Sequence, residues 1–313
     1  MRSSLRHLAQ LTIVLGTTVL LGACGPTPEP PPRNDIVALD VLIDSRDTRI
    51  PATLTTPKSN PESTTEELPL VVMLHGHGGD RHEASGFTQI AERLAGAGIA
   101  SIRMDFAGCG DSTEPFRNNH ITSMLADARS ARDYALNSIN VDTTRMAIMG
   151  FSMGGRLAVT LAHEDPRFQA LALWAPSVDA GTTGLVDFLG GTEALAKAKA
   201  TATANGFVPF TTSWGQQQEL SAGWFADMEA SRPLDLIPSF TGALYVLYGD
   251  QDTVVPPAEA ERLISAATQS RNARSYAVAG ADHGLGLFSD EPKLTEQAVG
   301  RTVAALVADL RAP

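Results

Sequence analysis

The sequence holds only two cysteines in 313 residues, Cys24 and Cys109. Two thiols cannot build a disulfide framework or a thiolate zinc site. Basic residues are also scarce, with 24 Lys and Arg against 35 Asp and Glu and a net charge of −11. The first 23 residues contain Arg2 and Arg6 but no acid, so the rest carries 22 basic against 35 acidic residues, or −13. A body this acidic repels phosphate backbones, which argues against nucleic acid as a partner. Beyond one N-terminal segment there is no long apolar run, which excludes an integral transporter or channel. Internal repeats are absent too. What remains is 43% hydrophobic, with 27 Gly and 19 Pro. That composition suits one large α/β domain or two small ones, either able to bury a sizeable core.

Residues 1–24 read MRSSLRHLAQLTIVLGTTVLLGAC. Two arginines precede an apolar run from Leu8 to about Leu21, which is short for a membrane span and suits a secretory signal. Its end, Leu21-Gly22-Ala23-Cys24, resembles the lipobox of bacterial lipoproteins, where the cysteine after a small residue becomes lipidated. The resemblance implies a signal peptide over residues 1–23 and acyl chains such as palmitate at Cys24. It also implies export, with anchoring to a bacterial cell membrane or outer membrane. The following GPTPEPPPRND favours extended polyproline II and cannot pack a core, so residues 24–34 read as a tether. With Cys24 acylated, Cys109 has no disulfide partner and the core must carry stability alone.

From residue 35 the chain alternates short apolar runs with amphipathic stretches. The pattern predicts strands at residues 36–43, 49–54, 69–75, 99–106, 145–150, 168–174, 243–248 and 273–279. Helices are expected over 83–95, 123–136, 153–163, 257–267 and 292–310. Such alternation argues a mostly parallel sheet with helices on both faces. The regularity breaks at about residues 177–239. That stretch has an Ala-rich helical piece and the aromatics Phe188, Phe207, Phe210, Trp214, Trp224 and Phe225, and it reads as a helical lid insertion.

Gly150-Phe151-Ser152-Met153-Gly154-Gly155 contains G-x-S-x-G between a predicted strand and a predicted helix. A sharp turn there presents the Ser152 hydroxyl at the top of the sheet, and the helix N-terminus behind it favours a nearby oxyanion. A serine hydroxyl needs a base and an orienting acid. His283, in the glycine-bounded loop Gly280-Ala281-Asp282-His283-Gly284 after the last strand, is the best-placed base. His82 and His120 read as loop or helix-start residues, and His163 as a C-terminal cap of the helix after Ser152. Asp250 and Asp252 compete as the acid. Asp250 sits nearer the strand end and can cap the turn, so Asp252 is chosen. His75-Gly76-His77-Gly78-Gly79 ends an early strand, and backbone N–H groups there can face the same reacting carbon as that of Met153. Two loop histidines without further ligands fall short of a metal site, so neither metal nor cofactor is expected.

HGHGG, RMDFAGCGDS, GFSMGG, YGDQDTVVP and GADHG, in that order, resemble the α/β-hydrolase superfamily over about residues 36–310. The resemblance implies an eight-stranded, mostly parallel sheet with Ser152, Asp252 and His283 as a triad. It also implies that His77 and Met153 supply the oxyanion amides and that residues 177–239 form the cap. DFAGCGDS with an HGxxG loop upstream is similar to bacterial cinnamoyl (feruloyl) esterases. Their pattern usually reads G-H-G-x-S, and Cys109 stands in place of the histidine.

The expected activity is therefore an anchored serine esterase acting on small or medium carboxylic esters through an acyl-enzyme. An acylaminopeptidase-like serine peptidase is the alternative enzyme, and a catalytically silent binding lipoprotein the non-enzyme alternative. Replacing Cys24 with Ser should release the protein from the membrane fraction. Retention of Cys24→Ser in that fraction would show that something other than the acyl anchor holds it.

Overall fold

The computed structural model describes residues 36–58, 67–180, 183–289 and 291–311. The signal peptide, Cys24 and the tether lie outside the described residues. In chain order the first half holds β1 (Ile36–Ser45), β2 (Thr48–Pro57), β3 (Leu68–Leu74), α1 (Gly86–Gly96), β4 (Ala100–Met104) and α2 (Ile121–Ser138). It continues with β5 (Val141–Phe151), α3 (Met153–Glu164) and β6 (Phe168–Trp174). The insertion follows, with α4 (Thr183–Phe188), α5 (Thr192–Asn205), β7 (Phe207–Thr211), β8 (Gln217–Ser221), α6 (Ala222–Ala230) and α7 (Pro233–Leu236). The regular pattern then resumes with β9 (Ala243–Gly249), α8 (Pro257–Ala266), β10 (Asn272–Val278) and α9 (Pro292–Arg311).

Eight strands form one sheet in the order β1-β2-β4-β3-β5-β6-β9-β10. Only the β1–β2 and β2–β4 pairings are antiparallel; the remaining pairings are parallel. Side chains that alternate along a strand feed opposite faces, and β3 shows this plainly. Leu70, Val72 and Leu74 enter the core beneath α2, α3 and α8, while Val71 and Met73 join the core beneath α1 and α9. Burial on both faces explains why this strand reads as an unbroken apolar run. All the parallel strands therefore deliver their carboxyl ends, and the loops after them, to one edge of the sheet.

Three expectations are corrected. The predicted helix from residue 83 starts at Gly86, because Glu83, Ala84 and Ser85 have φ of 44°, 47° and 74°, outside the right-handed helical region. The insertion is not wholly helical: β7 and β8 pair antiparallel, with Phe207 opposite Ser221 and Thr211 opposite Gln217. Pro209 and the run Gln216-Gln217-Gln218 hide these strands from a search for β-branched alternation. His163 does not cap α3 through the backbone. Its Nδ1 lies 3.0 Å from Ser239 Oγ.

The insertion is tied at both ends to the helix that follows Ser152. Arg156 of α3 is 1% exposed, and its guanidinium donates to Ser231 Oγ at 2.9 Å and to the Asp179 carbonyl at 2.7 Å. Glu259 of α8 accepts the Val178 and Asp179 N–H groups at 2.8 and 3.0 Å. Burial and the neighbouring Asp179 raise the Glu259 carboxyl to about 7. Arg156→Met keeps the apolar stem but leaves buried acceptors unmet, and should cost about 1–3 kcal/mol. Denaturant unfolding measures that loss, and limited proteolysis should cut faster within residues 177–239. Unchanged stability and unchanged cleavage would show that Arg156 does not anchor the insertion.

Candidate active site

The turn between β5 and α3 is built by small residues. A Cβ on Gly150 would run into the Gly154 carbonyl, and one on Gly154 into the Leu74 carbonyl of β3. Without those two side chains the helix start settles directly against two strands. Ser152 then takes φ 52° and ψ −112°, a conformation rare for an L-residue. Its backbone is fully engaged: the N–H donates to the Trp174 carbonyl at 2.8 Å, and the carbonyl accepts from Gly155 and Ser177 at 3.0 and 3.1 Å. The side chain is left projecting from the carboxyl edge of the sheet.

His283 Nε2 lies 3.0 Å from Ser152 Oγ, and His283 Nδ1 lies 2.8 Å from Asp252 Oδ2. The carboxylate accepts the Nδ1–H, which leaves Nε2 free to accept the serine proton. Asp252 is 5% exposed, and its other oxygen accepts the Val254 and Val255 N–H groups at 2.8 Å each. Both carboxylate oxygens are thereby oriented by the turn that carries them. The Phe151 ring lies beside the imidazole, with centroids 5.1 Å apart. Asp250 plays a separate part. Its Oδ1 accepts the Gly280 N–H at 2.8 Å and links the β9 loop to the loop bearing His283. An Oγ–H in this line can pass its proton to Nε2 as the oxygen attacks a carbonyl, and the buried carboxylate can steady the resulting imidazolium.

The loop 76–79 runs alongside. A Cβ on Gly76 would stand 3.6 Å from the Ser152 Cβ and 2.9 Å from the Phe151 ring, so a side chain there would crowd the serine. Among the described residues neither the His77 nor the Met153 N–H has a hydrogen-bond acceptor. Both amides belong to segments that touch Ser152.

The side chain of His77 meets the insertion. Its Nε2 lies 2.8 Å from Gln218 Oε1, Gln218 Nε2 donates to Gln216 Oε1 at 3.0 Å, and Gln216 Nε2 donates to the Gly78 carbonyl at 3.0 Å. The chain ends on a carbonyl, which can only accept, so each amide is oriented and His77 carries its proton on Nε2. Burial pushes this imidazole down to about 4, against the opposing Gln218 hydrogen bond, and it is neutral near pH 7. Phe116, Phe188 and Trp224 surround it, with ring centroids 5.4, 5.3 and 6.0 Å away. His82 and His120 take no part. His82 Nδ1 lies 3.1 Å from Thr88 Oγ1, and His120 Nδ1 lies 2.9 Å from Asp227 Oδ2. Sequence reasoning missed Gln216 and Gln218, whose one visible signal is an amide-rich run inside the insertion.

Comparison with known proteins follows the same lines. The family model described as serine aminopeptidase, S33, matches residues 65–219. The quorum-quenching protein AidA of Acinetobacter baumannii is 34% identical over 142 residues, 45% of this chain and 44% of AidA. An uncharacterised protein of Mycobacterium tuberculosis is 27% identical over 215 residues, 69% of this chain and 63% of that protein. The matches thus span 44% and 63% of the length of these two relatives. Among solved structures, Est1E from Butyrivibrio proteoclasticus with ferulic acid bound gives a TM-score of 0.68 at 22% identity, over 86% of this chain and 99% of its own. The monoacylglycerol lipase of Paleococcus ferrophilus gives 0.60 at 16% identity, over 78% and 96%. Structures so alike at so little identity share an architecture, and that architecture, which this chain adopts, is the α/β-hydrolase fold.

Proposed function

We propose that the protein is a serine carboxylic ester hydrolase acting on small or medium esters with an uncharged, largely apolar group. The observation that carries this reading is the continuous line from Ser152 Oγ through His283 to Asp252, at 3.0 and 2.8 Å. Ser152 attacks the ester carbonyl while His283 Nε2 takes its proton. The N–H groups of His77 and Met153 hold the tetrahedral oxyanion, with the N-terminus of α3 adding favourable dipole. His283 then returns the proton to the leaving alcohol. Water attacks the acyl-enzyme with the same histidine as base, and the acid departs.

The surroundings support an uncharged substrate. A neutral His77 ring with Phe116, Phe188 and Trp224 around it offers apolar contact and no counter-ion for a charged group. Residues 177–239 act as the lid in this reading, and their contacts with His77 and Gly78 support that role. The Est1E complex with ferulic acid makes a cinnamoyl ester a reasonable member of the test set. Export and lipid anchoring through Cys24 belong to the same proposal and rest on the N-terminal sequence alone. A serine peptidase is the second reading, favoured by the description of the matching family model.

Nitrophenyl esters from acetate to palmitate, methyl ferulate and a matched pair of ester and amide substrates test the proposal. Wild type should hydrolyse esters in preference to the amide, and Ser152→Ala should lose about 10³-fold or more in kcat while remaining folded. Near-normal turnover by folded Ser152→Ala would overturn the assignment of the serine. A clear preference for the amide would move the protein to the peptidase reading.

A further inference from the structure

Three consecutive non-glycine residues with positive φ, Glu83, Ala84 and Ser85, stand immediately before α1. Strain of this kind is held only where the surroundings over-determine it. Here it turns the Glu83 side chain inward, where the residue is 3% exposed. Its Oε2 accepts the Gly76 N–H at 2.8 Å. A Cβ on Gly79 would stand 2.9 Å from each carboxyl oxygen, so residue 79 must lack a side chain for Glu83 to fit. From the opposite side, His75 Nδ1 lies 2.7 Å from the Gly76 carbonyl, while its Nε2 accepts the Phe106 N–H at 3.1 Å. The second bond puts the imidazole proton on Nδ1, where it is donated to Gly76. A trans peptide points its N–H away from its carbonyl, so holding the Gly76 carbonyl also aims the His77 N–H. Both peptides flanking Gly76 are thus clamped, one by Glu83 and one by His75.

We propose that Glu83 is a positioning residue for the ester-hydrolysing site, fixing the 76–79 loop and needing to stay uncharged for that loop to hold an oxyanion. The inference rests on the serine esterase reading above. Burial raises the Glu83 carboxyl to about 8, with the Gly76 hydrogen bond opposing and Asp80 adding to the rise. Several other groups face this pocket. Asp80, on the same turn, accepts the His82 and Glu83 N–H groups through Oδ1 at 2.7 and 3.0 Å. Burial pushes the Cys109 thiol, in the loop after β4, up to about 12, and holds the His75 imidazole below its ordinary value. Asp105 is paired with Arg81, whose guanidinium also reaches Asp111 at 2.8 Å. Glu83 is therefore the group that changes charge as pH rises through about 8. A carboxylate formed one peptide away from the His77 N–H opposes the negative charge that amide has to stabilise. Activity supported by neutral Glu83 is present below that pH and lost above it.

The test compares wild type, Glu83→Gln and Glu83→Ala in the full-length protein, with blank-corrected nitrophenyl acetate hydrolysis from about pH 6.5 to about pH 9.5. Wild-type kcat should fall about five-fold or more across the alkaline limb with KM nearly constant. Glu83→Ala should lower kcat about ten-fold at every pH. Glu83→Gln keeps an oxygen for the Gly76 N–H and carries no charge, so it should recover most of that loss and show no alkaline fall. Circular dichroism establishes that each variant is folded. An alkaline fall in Glu83→Gln equal to that of wild type, a flat wild-type profile, or wild-type turnover by folded Glu83→Ala would each overturn the proposal. If wild type hydrolyses no ester, the esterase reading fails instead. The rate at which a fluorophosphonate modifies Ser152 then decides the role of Glu83, because the phosphonyl oxygen needs the same amides. The same order and the same pH dependence support it, and identical rates in all three proteins reject it.

Discussion

Ser152 is held at φ 52° and ψ −112° by the close approach of a helix to two strands, and the rest of the site is arranged around that turn. The approach needs bare backbone at Gly150 and Gly154, because a Cβ at either would strike a carbonyl oxygen. In return, the Ser152 amide reaches the Trp174 carbonyl and its own carbonyl collects three N–H groups, from Gly155, Arg156 and Ser177. No backbone polar group of that residue is left wanting, so the conformational strain is borne without an added desolvation cost. The hydroxyl is then fixed in direction before any substrate arrives, and preorganisation of that kind is what a nucleophilic serine requires.

Two further loops come to this serine from different strands, each stiffened by its own carboxyl group. The His283 loop is tied to the β9 loop by Asp250, while Asp252 takes the imidazole itself. The 76–79 loop is held at Gly76 by Glu83 and His75 from the body, and at Gly78 by Gln216 from the insertion. Gly78, at φ 69°, admits the two glutamine side chains because it has none of its own. The insertion therefore reaches the site directly. It supplies one of the contacts that set the loop bearing the His77 amide. Arg156 links the two ends of that insertion to the helix behind Ser152.

The sheet was legible because buried parallel strands leave uninterrupted apolar runs, as in PLVVMLH, and because amphipathic helices separate them. Ser152, His283 and Asp252 were legible for a different reason: glycine-rich turns at strand ends mark where side chains project. What sequence could not show was the part governed by contacts between distant segments. Glu83 looks like the first residue of an ordinary helix, and only the left-handed turn around it reveals a buried carboxyl 2.8 Å from the Gly76 N–H. Gln216 and Gln218 look like solvated amides until the hairpin brings them against Gly78 and His77, more than a hundred residues upstream. Local propensity was overridden at both places by tertiary contacts with the same loop, and such conflicts concentrate where a site is being shaped.

The central claim is that Ser152 is an activated nucleophile. Trypsin cleavage at Arg145 and Arg156 yields the peptide 146–156, MAIMGFSMGGR, in which Ser152 is the sole hydroxyl-bearing residue. Mass spectrometry of that peptide after brief exposure of the folded protein to a fluorophosphonate reads the claim directly. The account predicts one phosphonyl group per chain, on this peptide, with labelling abolished or greatly slowed in His283→Ala. A folded protein that takes up no label, or takes it up on another peptide, would contradict it.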